Sequence, residues 1–282
     1  MHDEIRQHYN RMKFSVLISV YSKDNPAYFK KALESILNQT LLPNQVVIVK
    51  DGPVSKGIDE VIDLFSKEFT NTDIVPLSKN QGLAIALNEG LKRCKHEWIG
   101  RMDSDDYSYE QRFEKQIEFL KTNKEIKLLG TFYKEFVNEI DNVISSKSFP
   151  IEHVEILSYS KKRNPFHHSS VMFNREVVAS LGGYDRELTQ IQDYLLWCMI
   201  LTKGYKTANL DDYLLFVRAD NNFFGRRTGI KYLKREYLAL KKIYETGHYS
   251  FLEFYRNMFV RSVIRLFPRQ FLKQIYKKFL RN

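Results

Sequence analysis

Cysteine is nearly absent. Cys94 and Cys198 are the two in 282 residues, and neither sits in a metal-type or redox-type spacing. That argues against a disulfide framework and fits a reducing compartment. No apolar run reaches the roughly 18 to 20 residues that a membrane-crossing helix needs. The first stretch, Met1 to Lys13, is polar and charged, which speaks against a secretory signal. Internal repeats and low-complexity linkers are missing as well. Acidic residues are scarce at one end only. From Arg218 to Asn282 there are 16 basic and 4 acidic residues, while the whole chain carries +10. The body is therefore near neutral and the basicity belongs to the tail, where it can meet nucleic acid, an anionic membrane surface or a phosphorylated substrate. The expectation is a cytoplasmic protein, or one peripheral on the cytoplasmic face of the inner membrane.

What is present is an alternation of short apolar runs with helical patterns. Phe14 to Tyr21 and Gln45 to Lys50 read as buried strands, and the weaker Asp73 to Leu77 and Trp98 to Met102 as further strands. Between them, Pro26 opens a helix, Ile58 to Phe69 is helical, and Leu83 to Cys94 follows the turn Asn80-Gln-Gly82. This predicts βαβ units and an α/β fold with a mostly parallel sheet. Further strands are expected at Ile126 to Val137, Val143 to Phe149, His168 to Phe173 and Tyr205 to Val217, and a helix at Gln192 to Thr202. Residues 1–218 read as one domain, with a first half at 14–106 and a second at 107–218. Residues 219–282 read as a basic helical tail.

Ligands of such sheets bind beyond the carboxyl ends of the strands. Three polar clusters fall there: Tyr21-Ser22, Asp51-Gly52 and Asp103-Ser-Asp-Asp106. The last holds the most information. Three carboxylates in four residues repel one another unless solvated or bridged by a cation. At a strand end they make an all-oxygen site for Mg²⁺ or Mn²⁺, able to hold a diphosphate; the bland reading is a solvated acidic turn. Asp51 suits a nucleobase N–H or a simple turn. Asn80 and Gly82 suit a phosphate or a helix cap. His167-His168 suits a metal or phosphate contact, or a structural pair. Asp193 suits a general base or an N-cap. Arg226-Arg227 suits a bidentate diphosphate grip or a solvated charge pair.

The tail divides around Pro268. Phe251, Phe254, Tyr255, Met258, Phe259, Val263 and Leu266 recur at helical spacing, with Arg256, Arg261 and Arg265 largely opposite; Phe271 to Phe279 repeats the pattern among lysines. Large aromatics opposite basic residues suit an interfacial membrane helix. A helix packed on the body with its charged side outward is the competing arrangement.

Taken together, these residues resemble the family 2 glycosyltransferases, inverting enzymes of the GT-A (Rossmann-like) fold, and in particular bacterial enzymes of O-antigen and capsular polysaccharide assembly. Phe14 to Tyr21 with Leu33 to Gln39 matches the opening strand and helix. Val46 to Gly52, Asn80-Gln-Gly-Leu83, Asn88-Glu-Gly90 and the DxD-like Asp103 to Asp106 with Arg112 follow. Asn164 to Phe173, Gly182-Gly-Tyr-Asp185 and Gln192-Asp193 match the acceptor half. The resemblance implies that Ser19, Tyr21 and Asp51 line a nucleoside pocket, with Asn80, Asp103 and Arg112 also on the nucleotide-sugar. It implies Asp105 on the metal and Asp193 as catalytic base; His168, Arg226 and Arg227 are candidate metal or diphosphate contacts on their residue types alone. Lys50 stands where the family usually has an acidic residue, and Gln192 where it usually has Glu. The implied reaction moves glucose or galactose from a UDP-sugar, with Mn²⁺ or Mg²⁺, onto a sugar such as GlcNAc or GalNAc on diphosphoundecaprenol, forming a β-linkage. A sugar nucleotidyltransferase is the competing enzyme class. A nucleic-acid-binding protein is disfavoured, because the charge is confined to an amphipathic tail and the body carries an acidic cluster.

Overall fold

The three central strands of the first half are built to be buried on both faces, while the edge strand is not. In β1 (Phe14–Val20), Phe14, Val16, Ile18 and Val20 face one layer and Leu17 the other, as the two-residue period of a strand requires. A computed structural model describes residues 12–219 and 229–266. β1 lies between β2 (Gln45–Lys50) and β4 (Trp98–Met102), and β3 (Thr72–Pro76) borders β2; all four run parallel.

Helices cover both faces. On one side lie α1 (Pro26–Leu37), α2 (Lys56–Glu68) and α4 (Arg112–Thr122), which bring Phe29, Leu33, Ile36, Ile58, Ile62, Phe113 and Ile117 onto the sheet. On the other lies α3 (Leu83–Leu91), with Ala86 and Leu87 against Leu17, Val47 and Val49. Local signals start these helices. Asn25 accepts the Ala27 N–H at 2.8 Å ahead of Pro26, and Ser55 caps α2.

The second half turns the mostly parallel sheet into a mixed one. β5 (Tyr107–Ser108), β6 (Ile126–Phe136), β7 (Val143–Lys147), β8 (Met172–Asn174) and β9 (Lys206–Arg218) complete one mixed sheet in the order β3-β2-β1-β4-β8-β6-β9-β5, with β7 beside β6. β8 is antiparallel to both β4 and β6, while β6 and β9 are parallel. Burial periodicity carries no strand direction, so this mixture was not readable. The strand expected over His168 to Phe173 is a 3₁₀ turn at His168–Ser170, and β8 begins at Met172. Besides α4, the helices of this half are α5 (His153–Ser160), α6 (Arg175–Ser180) and α7 (Gln192–Thr202).

The described part of the tail forms α8 (Ile230–Glu245) and α9 (Phe251–Leu266). Ala239, Leu240 and Ile243 of α8 and Phe254 of α9 close a third apolar cluster with Tyr194, Leu195 and Cys198 of α7. α9 is turned opposite to a helix that shows its charge to solvent. Arg261 and Arg265 point inward, both onto the buried carboxylate of Glu236 on α8. Phe251, Leu252, Tyr255, Phe259, Val260 and Val263 are exposed, Leu252 at 78%. The segment Phe271 to Phe279 lies outside the described residues.

Candidate active site

Parallel pairing sets the carboxyl ends of β1, β2 and β4 side by side: Val20 is opposite Lys50, and Ile18 opposite Met102. The residues that follow must therefore share one edge. They line a cavity of about 370 Å³ made by Ser19, Tyr21, Asp24, Asp51, Asn80, Asp103 and Asp105 among others. Of the sequence-expected nucleotide contacts, Ser19, Tyr21, Asp51, Asn80 and Asp103 are thus brought together with Asp105. The Asp51 carboxylate accepts the N–H groups of Gln81 at 2.7 Å and Gly82 at 3.0 Å, pinning the turn before α3. Gly52, at φ +86°, lets the two turns touch; a Cβ there would lie 2.4 Å from the Asn80 nitrogen. Lys50 turns away and pairs with Asp59 at 2.5 Å, so its charge does not enter the cavity.

Arg112 is placed differently from the expectation. It is fully buried and donates to the Arg101 carbonyl at 2.8 Å and Ser108 Oγ at 2.9 Å. A guanidinium held there supports the acidic segment from beneath and cannot contact a nucleotide. Asp106 also faces away from the cavity, accepting from Ser169 Oγ at 2.5 Å and from the Arg218 N–H. Burial, then the charges of Asp103 and Asp105, hold its carboxyl well above the usual range.

A second cavity, about 650 Å³, opens on the other side of Asp103. Its lining includes Asn164, His168, Gln192, Asp193, Tyr232, Glu236 and three arginines, and it shares Leu83 and Asp103 with the first. Asp193, on the first turn of α7, is tied by Asn164 Nδ2 to its Oδ2 at 2.7 Å. Burial raises its pKa against the lowering effect of those hydrogen bonds and of Arg101. Ile191, just before it, has φ +66°, a conformation that strains a β-branched residue and is kept where surroundings impose it. His168 Nε2 meets the Tyr184 hydroxyl at 2.9 Å, and burial with Arg101 keeps the ring neutral. It faces the Asp193 cavity, apart from Asp105. Arg226 and Arg227 lie outside the described residues.

Sequence reasoning passed over Asp24 and Arg101. Asp24 precedes a capping Asn25 and reads as part of that cap, yet it accepts from Ser104 Oγ at 2.9 Å and the Tyr21 N–H at 3.0 Å and lines the first cavity. Arg101 is a charge inside a fully buried strand, ion-paired with Asp103; that oddity was the available signal.

Asp105 is pushed up to about 6, by burial first and then by Asp103 and Asp24. A folded value above the ordinary 3.8 makes the ionised form unfavourable in the fold. Stability is then lost as pH rises from about 4 through about 6. Asp105→Asn should stabilise the protein modestly in EDTA near pH 7.5, because solvent screens this exposed carboxylate, with the gain vanishing towards pH 4. Thermal melts of both forms across that range test this; a pH-independent difference would contradict it.

The family model for glycosyl transferase family 2 matches residues 15–182. Among curated proteins, the chain is 36% identical over 270 residues to a UDP-Gal:alpha-D-GlcNAc-diphosphoundecaprenol beta-1,3-galactosyltransferase of Escherichia coli, covering 96% of this chain and 97% of that one. It is 37% identical over 271 residues to the amylovoran biosynthesis glycosyltransferase AmsE of Erwinia amylovora, covering 94% and 98%. Among solved structures, S. aureus TarS 1-349 in complex with UDP aligns with TM-score 0.63 at 16% identity, covering 95% of this chain and 71% of that one. The mannosyltransferase PcManGT from Pyrobaculum calidifontis, in complex with GDP-Man and Mn²⁺, aligns with TM-score 0.60 at 15% identity, covering 93% and 84%.

Proposed function

Because the chain belongs to glycosyl transferase family 2, we propose that it moves a hexose, glucose or galactose, from a UDP-sugar to a lipid-diphosphate-linked N-acetylhexosamine with inversion. The observation that carries this reading is the meeting of two cavities at Asp103, with Asp105 on one side and Asp193 on the other. A donor in the first cavity points its sugar across that junction. An acceptor hydroxyl in the second reaches Asp193. The Asp193 carboxylate takes the hydroxyl proton, and its raised pKa makes it the stronger base. The acceptor oxygen then attacks the anomeric carbon from the face opposite the nucleotide. One displacement turns an α-linked donor into a β-linked product, and no covalent enzyme nucleophile takes part. The names of the Escherichia coli and Erwinia amylovora relatives support a lipid-linked acceptor and a role in polysaccharide assembly.

Asp105, with Asp103, offers the oxygen donors that Mn²⁺ or Mg²⁺ takes. The mutually repelling carboxylates of Asp105, Asp103 and Asp24 fit a divalent cation by charge. No group of three or more His, Cys, Asp or Glu side chains placed for a metal ion occurs among the described residues, so donor phosphate oxygens and water would complete the shell. Such an ion neutralises the charge that grows on the departing diphosphate.

The reading is tested by UDP release from a UDP-sugar panel with Mn²⁺, with and without a GlcNAc-diphosphate lipid. UDP-glucose or UDP-galactose should support acceptor-dependent release. Asp193→Asn should lower turnover by about 10³-fold or more while UDP binding stays within a few fold. A fully active Asp193→Asn enzyme would remove the base from this mechanism.

No helix among the described residues is long and apolar enough to cross a membrane. The exposed apolar stripe of α9 and the basic tail support a peripheral seat on an anionic leaflet, the place a lipid-linked acceptor requires. Leu252→Ser with Phe259→Ser should cut co-sedimentation with phosphatidylglycerol vesicles several-fold and leave UDP binding unchanged. Undiminished sedimentation would contradict the seat.

A further inference from the structure

Much of one wall of the Asp193 cavity is built by the tail. Tyr232 and Glu236 come from α8, Arg261 and Arg265 from α9, and Arg163 from the segment after α5. Arg265 grips Glu236 side-on, Nε to Oε2 at 3.0 Å and Nη2 to Oε1 at 3.2 Å, and Arg261 reaches Oε1 from the other side. Burial alone would raise the Glu236 carboxyl. The hydrogen bonds and charges of Arg265 and Arg261 reverse that and hold it below the usual range. Glu236 is therefore an anion in the fold and balances one of the two arginines. The second is in excess, and Arg163 adds another positive charge, without a side-chain hydrogen bond or ion pair among the described residues.

One buried carboxylate explains one arginine on this wall. It does not explain three, gathered in a cavity that also holds the candidate base. Each guanidinium has five N–H donors. Arg265 uses two of them on Glu236 and Arg261 one, so donors remain for a further anion. A planar fork with spare donors is the side chain suited to phosphate oxygens.

α9 supplies the second half of the argument. Residues 261 and 265 are one turn apart and face the cavity, while Leu252, Tyr255, Phe259 and Val263 occupy the opposite face and are exposed. A single helix thus presents cations to the cavity and an apolar stripe outward. A lipid-linked sugar diphosphate has the same order of parts: sugar, diphosphate, hydrocarbon chain. With its sugar hydroxyl at Asp193, its diphosphate lies one sugar ring away, within a cavity of about 650 Å³.

We propose that Arg163, Arg261 and Arg265 form the subsite for the diphosphate of the acceptor, with Glu236 holding the two α9 arginines in position. This rests on the lipid-linked acceptor reading given above. It is distinct from the donor diphosphate, which belongs with Asp103 and Asp105 in the first cavity.

The test compares two acceptors with the same sugar and the same alkyl chain, one joined through a diphosphate and one a simple glycoside. GlcNAc and GalNAc versions of each are used with the full chain. Two variants are measured. Arg163→Gln changes an exposed residue. Arg261→Gln combined with Glu236→Gln removes one charge of each sign, so no buried carboxylate is stranded. In both, the preference in kcat/KM for the diphosphate acceptor over the glycoside should fall tenfold or more, mainly through the acceptor KM. A wild-type enzyme with no such preference overturns the acceptor reading itself. A wild-type preference that survives in both variants, or an equal loss on both acceptors, overturns the subsite and leaves that reading standing.

Discussion

A fully buried arginine in the middle of the sheet governs the chemistry at its edge. Arg101 has no exposed surface, and its guanidinium lacks a well-formed hydrogen bond among the described residues. Its compensation is electrostatic. It pairs with Asp103; its field offsets part of the burial-driven rise at Asp105 and Asp193, and adds to burial in keeping His168 neutral. A buried guanidinium is costly by several kcal/mol unless anions surround it. The cluster of aspartates at the strand ends is what makes it tolerable, and Arg101 in turn makes that cluster tolerable. Arg112, also fully buried, is instead satisfied by hydrogen bonds to the Arg101 carbonyl and Ser108.

From this centre the two cavities follow. Asp103 and Leu83 line both, so whatever binds on one side is in reach of whatever binds on the other. The Asp51 carboxylate fixes the turn that carries Asn80 and Gly82. Asn88 makes the opposite tie, exchanging hydrogen bonds of 2.7 and 2.8 Å with the Tyr184 backbone. That tie joins the first half of the chain to the loop ahead of α7 and Asp193. The tail then closes the Asp193 side through the cluster of Leu240, Ile243 and Tyr194.

The first half was legible in detail because its strands are continuous apolar runs between capped helices. β2 and β4 fall where the sequence put them, and so does α7. The second half was legible as elements but not as topology, since the direction of β8 depends on partners far away in sequence. The acidic cluster was read as one unit, yet the strand end sends Asp103 and Asp105 into the cavity and Asp106 into the interior. Arg112 was drawn to the site by its motif position, and burial sends it beneath instead. The described part of the tail is helical, at α8 and α9, but its orientation was not readable. Glu236, far off in sequence, decides that Arg261 and Arg265 turn inward. Asp24 and Arg101 gave only local signals, a helix cap and an odd strand charge.

The most direct measurement is the calorimetric affinity of UDP with Mn²⁺ and with EDTA, for the wild-type protein and for Asp105→Ala. Cation bridging between Asp105 and a diphosphate predicts wild-type binding at least tenfold tighter with Mn²⁺, and no such gain in Asp105→Ala. Equal wild-type affinity in EDTA and in Mn²⁺ would contradict it.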